Sequence, residues 1–259
     1  MYNELHLSEA LDILNKDFYR NITNIDNINY LLKQKAESKC FLVDDCIVFS
    51  EKHYGKDNVF VCPTAEKISI KNLLSVIKKN YDSKSICFDV QLLSENKINQ
   101  IKNTFGKFIP YKRIIKDYYY SGIPSFKSNS FIRPISINDK DLIEKSIFPS
   151  AENRPPLSML FNIFVEKNKG FIIGFIDNNI LKGYLSFENI FQDIYDVDYI
   201  FVQEPYRKNG IGKMLTEQYL LNVFRKKGLP VWSNAINAIS ESIAQSCGFK
   251  VSKKSLLFL

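Results

Sequence analysis

Apolar and polar positions change period repeatedly along the chain, and the changes mark an alternation of helices and strands. Over 8–17, 26–37, 67–81 and 94–104 apolar residues return every three or four positions, the spacing of one helix face. Between them, 40–50, 58–62, 85–90 and 110–119 are short β-branched and aromatic runs of strand length. The first half therefore reads as α/β. The stretch Ser121-Gly-Ile-Pro-Ser-Phe-Lys-Ser-Asn-Ser130 breaks the pattern with turn-forming residues and reads as a linker. After it a short strand opens at Phe131-Ile-Arg-Pro-Ile-Ser, and helical stretches follow near 139–147 and 155–166.

Strands then dominate. Runs at 171–176 and 180–187 flank Asp177-Asn178-Asn179, residues that tolerate positive φ, which is a hairpin signal. A third strand covers 196–202. Ile211, Leu215, Tyr219 and Val223 lay one apolar stripe along a helix over 211–227, with basic residues in its last turn and Gly228 expected to close it. A strand from 230–233, a helix over 237–246 ended by Gly248, and strand residues Val251 and 256–259 are expected to finish the second sheet. The expected organisation is an α/β domain at 1–120, a linker at 121–130 and a second domain at 131–259. The halves share a rough order of elements, which suggests duplication of one fold, although no residue-level repeat accompanies it.

Composition removes several classes of protein. With 45% hydrophobic and 24% charged residues in 259, the chain is neither disordered nor fibrous. No apolar run approaches the ~18 residues that cross a bilayer, and Met1-Tyr2-Asn3-Glu4 does not begin a basic-then-apolar leader, so a cytoplasmic protein without membrane partners is expected. Five cysteines without a CxxC, and only two histidines, argue against a disulfide framework, a metal site or a His-based nucleophile. The net charge is +7, and its distribution is informative: 201–259 carries nine basic and three acidic residues, whereas 151–200 carries four basic and seven acidic. One stretch favours an anion and its neighbour a cation.

The chemistry concentrates at Val202-Gln203-Glu204-Pro205-Tyr206-Arg207-Lys208-Asn209-Gly210-Ile211-Gly212-Lys213. A strand ends, a turn follows, and a helix begins with two glycines one residue apart. The first amides of a helix lack internal acceptors and carry the positive end of its dipole, so a diphosphate can lie against them. Gly210 and Gly212 keep that approach clear, and Arg207, Lys208 and Lys213 add charge. The spacing fits neither the GxxxxGK[ST] phosphate loop nor the GxGxxG dinucleotide fingerprint.

These residues resemble the acyl-coenzyme A motif of the GNAT (GCN5-related) N-acetyltransferases: Val202, Arg207, Gly210 and Gly212 on a strand, turn and helix. A second signature is similar to the family's later helix: Val231-Trp232-Ser233, then Asn237, Ser240, Ile243-Ala244 and Gly248-Phe249. The opening Ile132-Arg133-Pro134-Ile135 with Asp139 is also similar. The resemblance spans 131–259 and implies a mixed, mainly antiparallel α/β sheet flanked by helices; the first half, whose 61–70 has no glycine, reads either as a degenerate copy of the same fold that has lost its cofactor site, as in a tandem GNAT, or as an unrelated α/β domain. It implies acetyl-coenzyme A as cosubstrate, with the amides of Lys208, Asn209, Gly210, Ile211, Gly212 and Lys213 holding the pyrophosphate. It also implies that Phe201, Val202 and Gln203 meet the pantetheine arm and acyl carbonyl, with Asn237 facing that arm. Asn237 reads equally well as a helix N-cap. Many members carry a tyrosine where this chain has Ala244, so thiolate protonation falls to water or to Ser240 or Ser242.

Acyl transfer needs a neutral amine. A lysine-like amine is neutral at pH 7 in only about one molecule in a few thousand, a gap of roughly 4.6 kcal/mol, so a base is expected on the strand beside the thioester. Asp196 and Asp198, two apart on one strand and hence on one face, are the candidates, with Asp198 first and Glu188 on the preceding strand third. Read as a solvated strand face, the same acids carry no chemistry. The sequence thus predicts an N-acetyltransferase acting on a primary amine of a small cationic molecule, a metabolite or antibiotic. The alternatives are a non-catalytic acyl-coenzyme A sensor and a protein-amine acetyltransferase. A nucleic-acid partner is disfavoured because the basic residues surround one phosphate-sized cradle, and a homodimer is left open.

Overall fold

The structure, a computed structural model, describes residues 2–35, 38–53, 56–146, 156–235 and 238–259. The chain divides into two compact units, Met1–Asp117 with Val251–Leu259, and Tyr118–Lys250. Among the described residues no helix is long and apolar enough to cross a membrane.

The sheet of the first unit has the order β1 (Tyr2–Glu4), β2 (Cys40–Val43), β3 (Cys46–His53), β4 (Lys56–Pro63), β5 (Ser83–Asp89), β12 (Lys250–Phe258) and β6 (Tyr111–Tyr119). Helices α1 (Leu7–Asn15) and α2 (Phe18–Gln34) pack with one core, α3 (Ile70–Asn80) and α4 (Glu95–Phe105) with the other. Strand alternation decides which core each side chain joins: Ile47 and Phe49 join α1 and α2, while Cys46 and Val48 join α3 and α4. The run 40–50, which reads as one strand, is a hairpin that turns with Asp44 at φ 52°. Helix α2 starts well before position 26, burying Ile22 and Ile25.

The last strand departs from expectation. Instead of finishing the second sheet, β12 runs antiparallel to β5, with Ser255 opposite Asp89. Its buried Lys253 lies 3.2 Å from Asp117 Oδ2 and donates to Thr23 Oγ1 at 2.6 Å and Asn24 Oδ1 at 3.0 Å. Periodicity fixes which side chains seek a core, and says nothing of the strand that pairs with them.

The second unit contains the strand order β11 (Leu229–Ala235), β10 (Ile194–Val202), β9 (Ile180–Phe191), β8 (Phe171–Asp177) and β7 (Ile132–Pro134), antiparallel except for β10 and β11. Helices α5 (Lys140–Lys145) and α6 (Leu157–Phe161) pack with one core cluster, α7 (Ile211–Arg225) and α8 (Ala238–Ser246) with another. This is the mixed, largely antiparallel sheet with flanking helices that the sequence predicts. The β8–β9 hairpin turns through Asn178 and Asn179 at φ 51° and 58°. Arg133 forks onto Asp139 at 2.9 and 2.6 Å, and the same carboxylate caps Ser136 N at 2.8 Å. Residues 121–130 carry no regular element and fall within the second unit, where Phe126 packs on the core and Asn129 Nδ2 donates to Met214 Sδ at 3.0 Å.

The end of α7 differs from expectation in one residue. The left-handed position after the helix is Lys227, at φ 58°, not Gly228. Gly228 is required for space instead: a Cβ there would lie 2.5 Å from the Tyr195 ring and 2.7 Å from Asp193 O.

Candidate active site

Strands β10 and β11 pair in parallel over only three positions, Ile194–Leu229, Tyr195–Pro230 and Asp196–Val231, and then part, although β10 continues to Val202 and β11 to Ala235. Separating two strands strands their main-chain groups, and two side chains compensate. The buried Tyr219 hydroxyl of α7 donates to Tyr195 O at 2.6 Å and receives Val231 N at 3.1 Å. One step further, Asp196 accepts from Ser233 N at 2.9 Å and from the Ser233 hydroxyl. The fork is thus held open by specific bonds.

At the end of β10 lies a cavity of about 860 Å³, lined by strand residues Ile200, Phe201 and Val202, by the loop and first turn of α7, and by Ile239, Ser240 and Ile243 of α8. Gly210 caps α7 at φ 75°, and a Cβ built on it would meet nothing within 4 Å. Met214 is the first amide of the helix to bond back, to Gly210 O at 3.0 Å. Among the described residues the amides of Lys208 to Lys213 meet no acceptor of the chain. Bare donors, an open approach and the positive end of a 15-residue helix suit a diphosphate, so the residues fit coenzyme A.

Of the residues anticipated at this site, Phe201, Val202, Arg207, Lys208, Gly210, Ile211, Gly212 and Lys213 line the cavity. Gln203 and Asn209 do not; Gln203 is tied to β9 through Leu181 O at 2.8 Å, and Asn209 Nδ2 reaches back to Tyr206 O at 3.4 Å. Asn237 lies outside the described residues. Arg207 folds back, its Nε donating to Val202 O at 3.1 Å and its guanidinium lying 5.5 Å from the centre of the Phe201 ring. Ile200, Tyr206, Ile239 and Ile243 also line the cavity; Ile239 and Ile243 are four apart and so share one face of α8, a spacing that does not by itself distinguish a core from a ligand. Ala244 is buried in the core, and of the two alternative hydroxyls only Ser240 reaches the cavity wall.

The three acids converge, with one change of register. Glu188 stands directly opposite Asp196, and Phe187 opposite Val197, but the next pair is Ser186 with Tyr199, so Asp198 occupies a bulge. Strict alternation does not carry through that position. Asp198 is open to solvent, yet its carboxyl is set among protein atoms beside Glu188 and Asp196. Incomplete hydration, then the two neighbouring carboxylates, push its pKa up to about 8. The direction follows from both causes, and solvent access works to limit the rise. Burial likewise raises Glu188.

A parallel strand pair that parts beside a helix start with bare amides defines an α/β domain with room and donors for an extended, phosphate-bearing ligand. Residues 141–249 match the model of the Acetyltransferase (GNAT) family. Solved structures agree in fold. A Drosophila protein aligns over 100% of this chain and 98% of its own, at 12% identity and a TM-score of 0.58. A GCN5-related N-acetyltransferase from Sphaerobacter thermophilus aligns over 99% and 94%, at 10% identity and 0.55. A GNAT-family acetyltransferase from Colwellia psychrerythraea aligns over 100% of both chains, at 10% identity and 0.54. No curated protein matches the chain in sequence.

Proposed function

We propose that the protein is an N-acetyltransferase that moves an acetyl group from acetyl-coenzyme A to a primary amine of a small cationic molecule, a metabolite or an amino-containing antibiotic. The observation that carries this reading is geometric: the bare amides at the start of α7 and the end of β10 line one cavity, and β10 also carries Asp196 and Asp198. When bound, the cosubstrate supplies the acetyl group: its carbon–sulfur bond breaks as a carbon–nitrogen bond forms, and the sulfur leaves as a thiol.

The chain's own residues divide the remaining work. The amides of Lys208 to Lys213 bind phosphate oxygens, and the free side of β10 beyond Asp196 receives the extended arm by main-chain pairing. Asp198 holds the ammonium of the acceptor and takes one proton from it, leaving the nitrogen lone pair free to attack. A carboxyl whose pKa is raised takes a proton from an ammonium in a less uphill step than an ordinary carboxyl does. Asp196 positions: its carboxylate holds Ser233 and keeps the strands apart. Ser240, on the cavity wall and about one helical turn before Ala244, returns a proton to the thiolate directly or through water.

Thiol release in the presence of acetyl-coenzyme A and a panel of amines tests the reading, alongside calorimetric titration of acetyl-coenzyme A alone. Turnover with a cationic amine supports it. The buried Ala244 gives a specific reason to consider a sensor, and heat of binding without thiol release on any amine selects that alternative.

A further inference from the structure

A second cavity of the second unit, about 490 Å³, lies at the other end of α7 from the bare amides. Its walls are apolar, with Ile135, Phe164, Phe171, Ile172 and Phe187 among them and the Phe171 and Phe187 rings stacked at 5.1 Å. Phe164 and Val165 enter it from a π-helical turn, Asn162–Glu166, closed by Lys167 N on Asn162 O at 3.0 Å, and such turns concentrate at functional sites. Arg225 and Lys226 line the same cavity while remaining exposed, and among the described residues no acid does. Neither cation has a carboxylate partner. Arg225 Nη2 donates to the Ser128 hydroxyl at 3.1 Å, and Lys226 Nζ lies 4.6 Å from the centre of the Phe171 ring. Lys167 and Lys169, on either side of the lining residue Asn168, add charge that no acid balances, while Glu166 beside them is engaged by Asn162 Nδ2 at 2.5 Å and Lys140 Nζ at 4.0 Å. Cations in the last turn of a helix ordinarily answer its free carbonyls. Here Val223 O and Phe224 O are already taken by the amides of Lys226, Lys227 and Gly228, so the two side chains are left for another anion.

We propose that this cavity binds an amphipathic carboxylate, a fatty acid of medium chain length, with its carboxylate held by Arg225 and Lys226 and its alkyl chain against Phe164, Phe171 and Phe187. Two cations without counter-charges beside an apolar recess are complementary to an anion that carries an apolar chain, and the guanidinium fork of Arg225 matches a carboxylate. The volume equals that of roughly 16 water molecules at ~30 Å³ each, room for an acid of about ten non-hydrogen atoms. The recess is concave, which suits one small molecule and not a membrane surface. The 15 residues of α7 place it about 20 Å from Gly210, so the site is separate from the acetyl-coenzyme A cradle and does not depend on the transfer reading.

Calorimetric titration of the full chain with octanoate and with 1-octanol, the same alkyl chain without the charge, tests the site. Octanoate is expected to bind saturably and about tenfold more tightly than octanol, the scale of two partly exposed charge contacts. Replacing both cations, Arg225→Gln with Lys226→Gln, should lower octanoate affinity about tenfold, to the level of octanol, and leave octanol within about twofold. A second variant that keeps both charges, Arg225→Lys with Lys226→Arg, should hold octanoate within about threefold of the parent. No saturable octanoate binding in the unaltered protein overturns the site, and so does an octanoate affinity no better than that of octanol. Octanoate binding that survives loss of both cations places the acid elsewhere and overturns it too, as does an equal loss in the two variants, which would mean that the charges are not what the acid reads.

Discussion

Two segments of the chain share an outline, a strand, a helix and a second strand parallel to the first, and they treat their main-chain bonds in opposite ways. In the first unit β4 and β5 stay paired from Asp57–Ser83 to Val61–Phe88. The connection between β4 and α3 contains no glycine, and Ser69 caps α3 by accepting from Asn72 N at 3.3 Å. The cavity beside it, about 590 Å³, includes the carboxylates of Asp44 and Glu66 as well as Lys67 and Lys97. In the second unit β10 and β11 part after three positions, Gly210 caps α7 without a side chain, and among the described residues no acid lines the cavity. A ligand can bind to a sheet and a helix only where those elements leave donors and acceptors unused, so the first segment is complete in itself and the second is not.

The sharpest way to break the comparison is at the base, which has no counterpart in the first segment. Asp198→Asn is expected to lower kcat about 10²–10⁴-fold while leaving the dissociation constant of acetyl-coenzyme A unchanged by calorimetry. The rising limb of the pH–rate profile, governed by deprotonation of this carboxyl, should vanish with it. A retained limb would assign the base elsewhere. Next in size is the cradle. Gly210→Asp puts a carboxylate into open space where phosphates are to lie, and affinity for acetyl-coenzyme A should fall at least about 100-fold, with Gly210→Ala falling less. Reversing a charge in the first segment's loop, Lys67→Glu, should leave that affinity within about twofold; a comparable loss there would mean that both segments serve the ligand.

The distinction between the segments was legible in the sequence only where it depends on local backbone conformation. Gly210 and Gly212 after a strand, and Asn178-Asn179 between two strands, announce their positive-φ or uncapped roles in the residues themselves. The helix of Ile211, Leu215, Tyr219 and Val223 is equally plain, because its period is written in four residues. What escaped depends on pairing at a distance. The bulge at Asp198 is a slip against β9, visible only in the register of Val197 and Tyr199. The bond from Ser233 to Asp196 joins residues 37 apart, and β12 finds its partner in β5. The hairpin within 40–50 was hidden for a different reason: Asp44-Asp45 is a turn of two polar residues, too brief to interrupt an apolar run.

A smaller effect bears on the first segment alone. Ser69→Ala removes the side-chain acceptor at the start of α3 and should cost about 1 kcal/mol of stability, as caps of this kind do, read as a lower midpoint in urea with an unchanged slope. Acetyl-coenzyme A affinity should not move. If the cap variant instead acquires affinity for diphosphate-containing ligands, freeing amides is sufficient to create a site, and the wider opening of β10 and β11 is not needed.

The smallest expected effect follows from the charge that the second segment concentrates. The Asp198 carboxyl is raised from 3.8 to about 8, so between those values the folded protein binds a proton that the unfolded chain has released. Stability linked to this group is therefore fully present at low pH and declines as pH rises through that interval. Asp198→Asn keeps the shape of the site without the charge, and its melting temperature should match the parent near pH 4 and exceed it near pH 8, by about 1–3 °C given the solvent access of the side chain. Scanning calorimetry across that range reads the difference directly. An advantage that shrinks as pH rises would mean that the carboxylate is stabilised in the folded state, which neither incomplete hydration nor the nearby Glu188 and Asp196 can bring about, and the clustered acids that set this segment apart would have to be balanced by a cation of the chain itself.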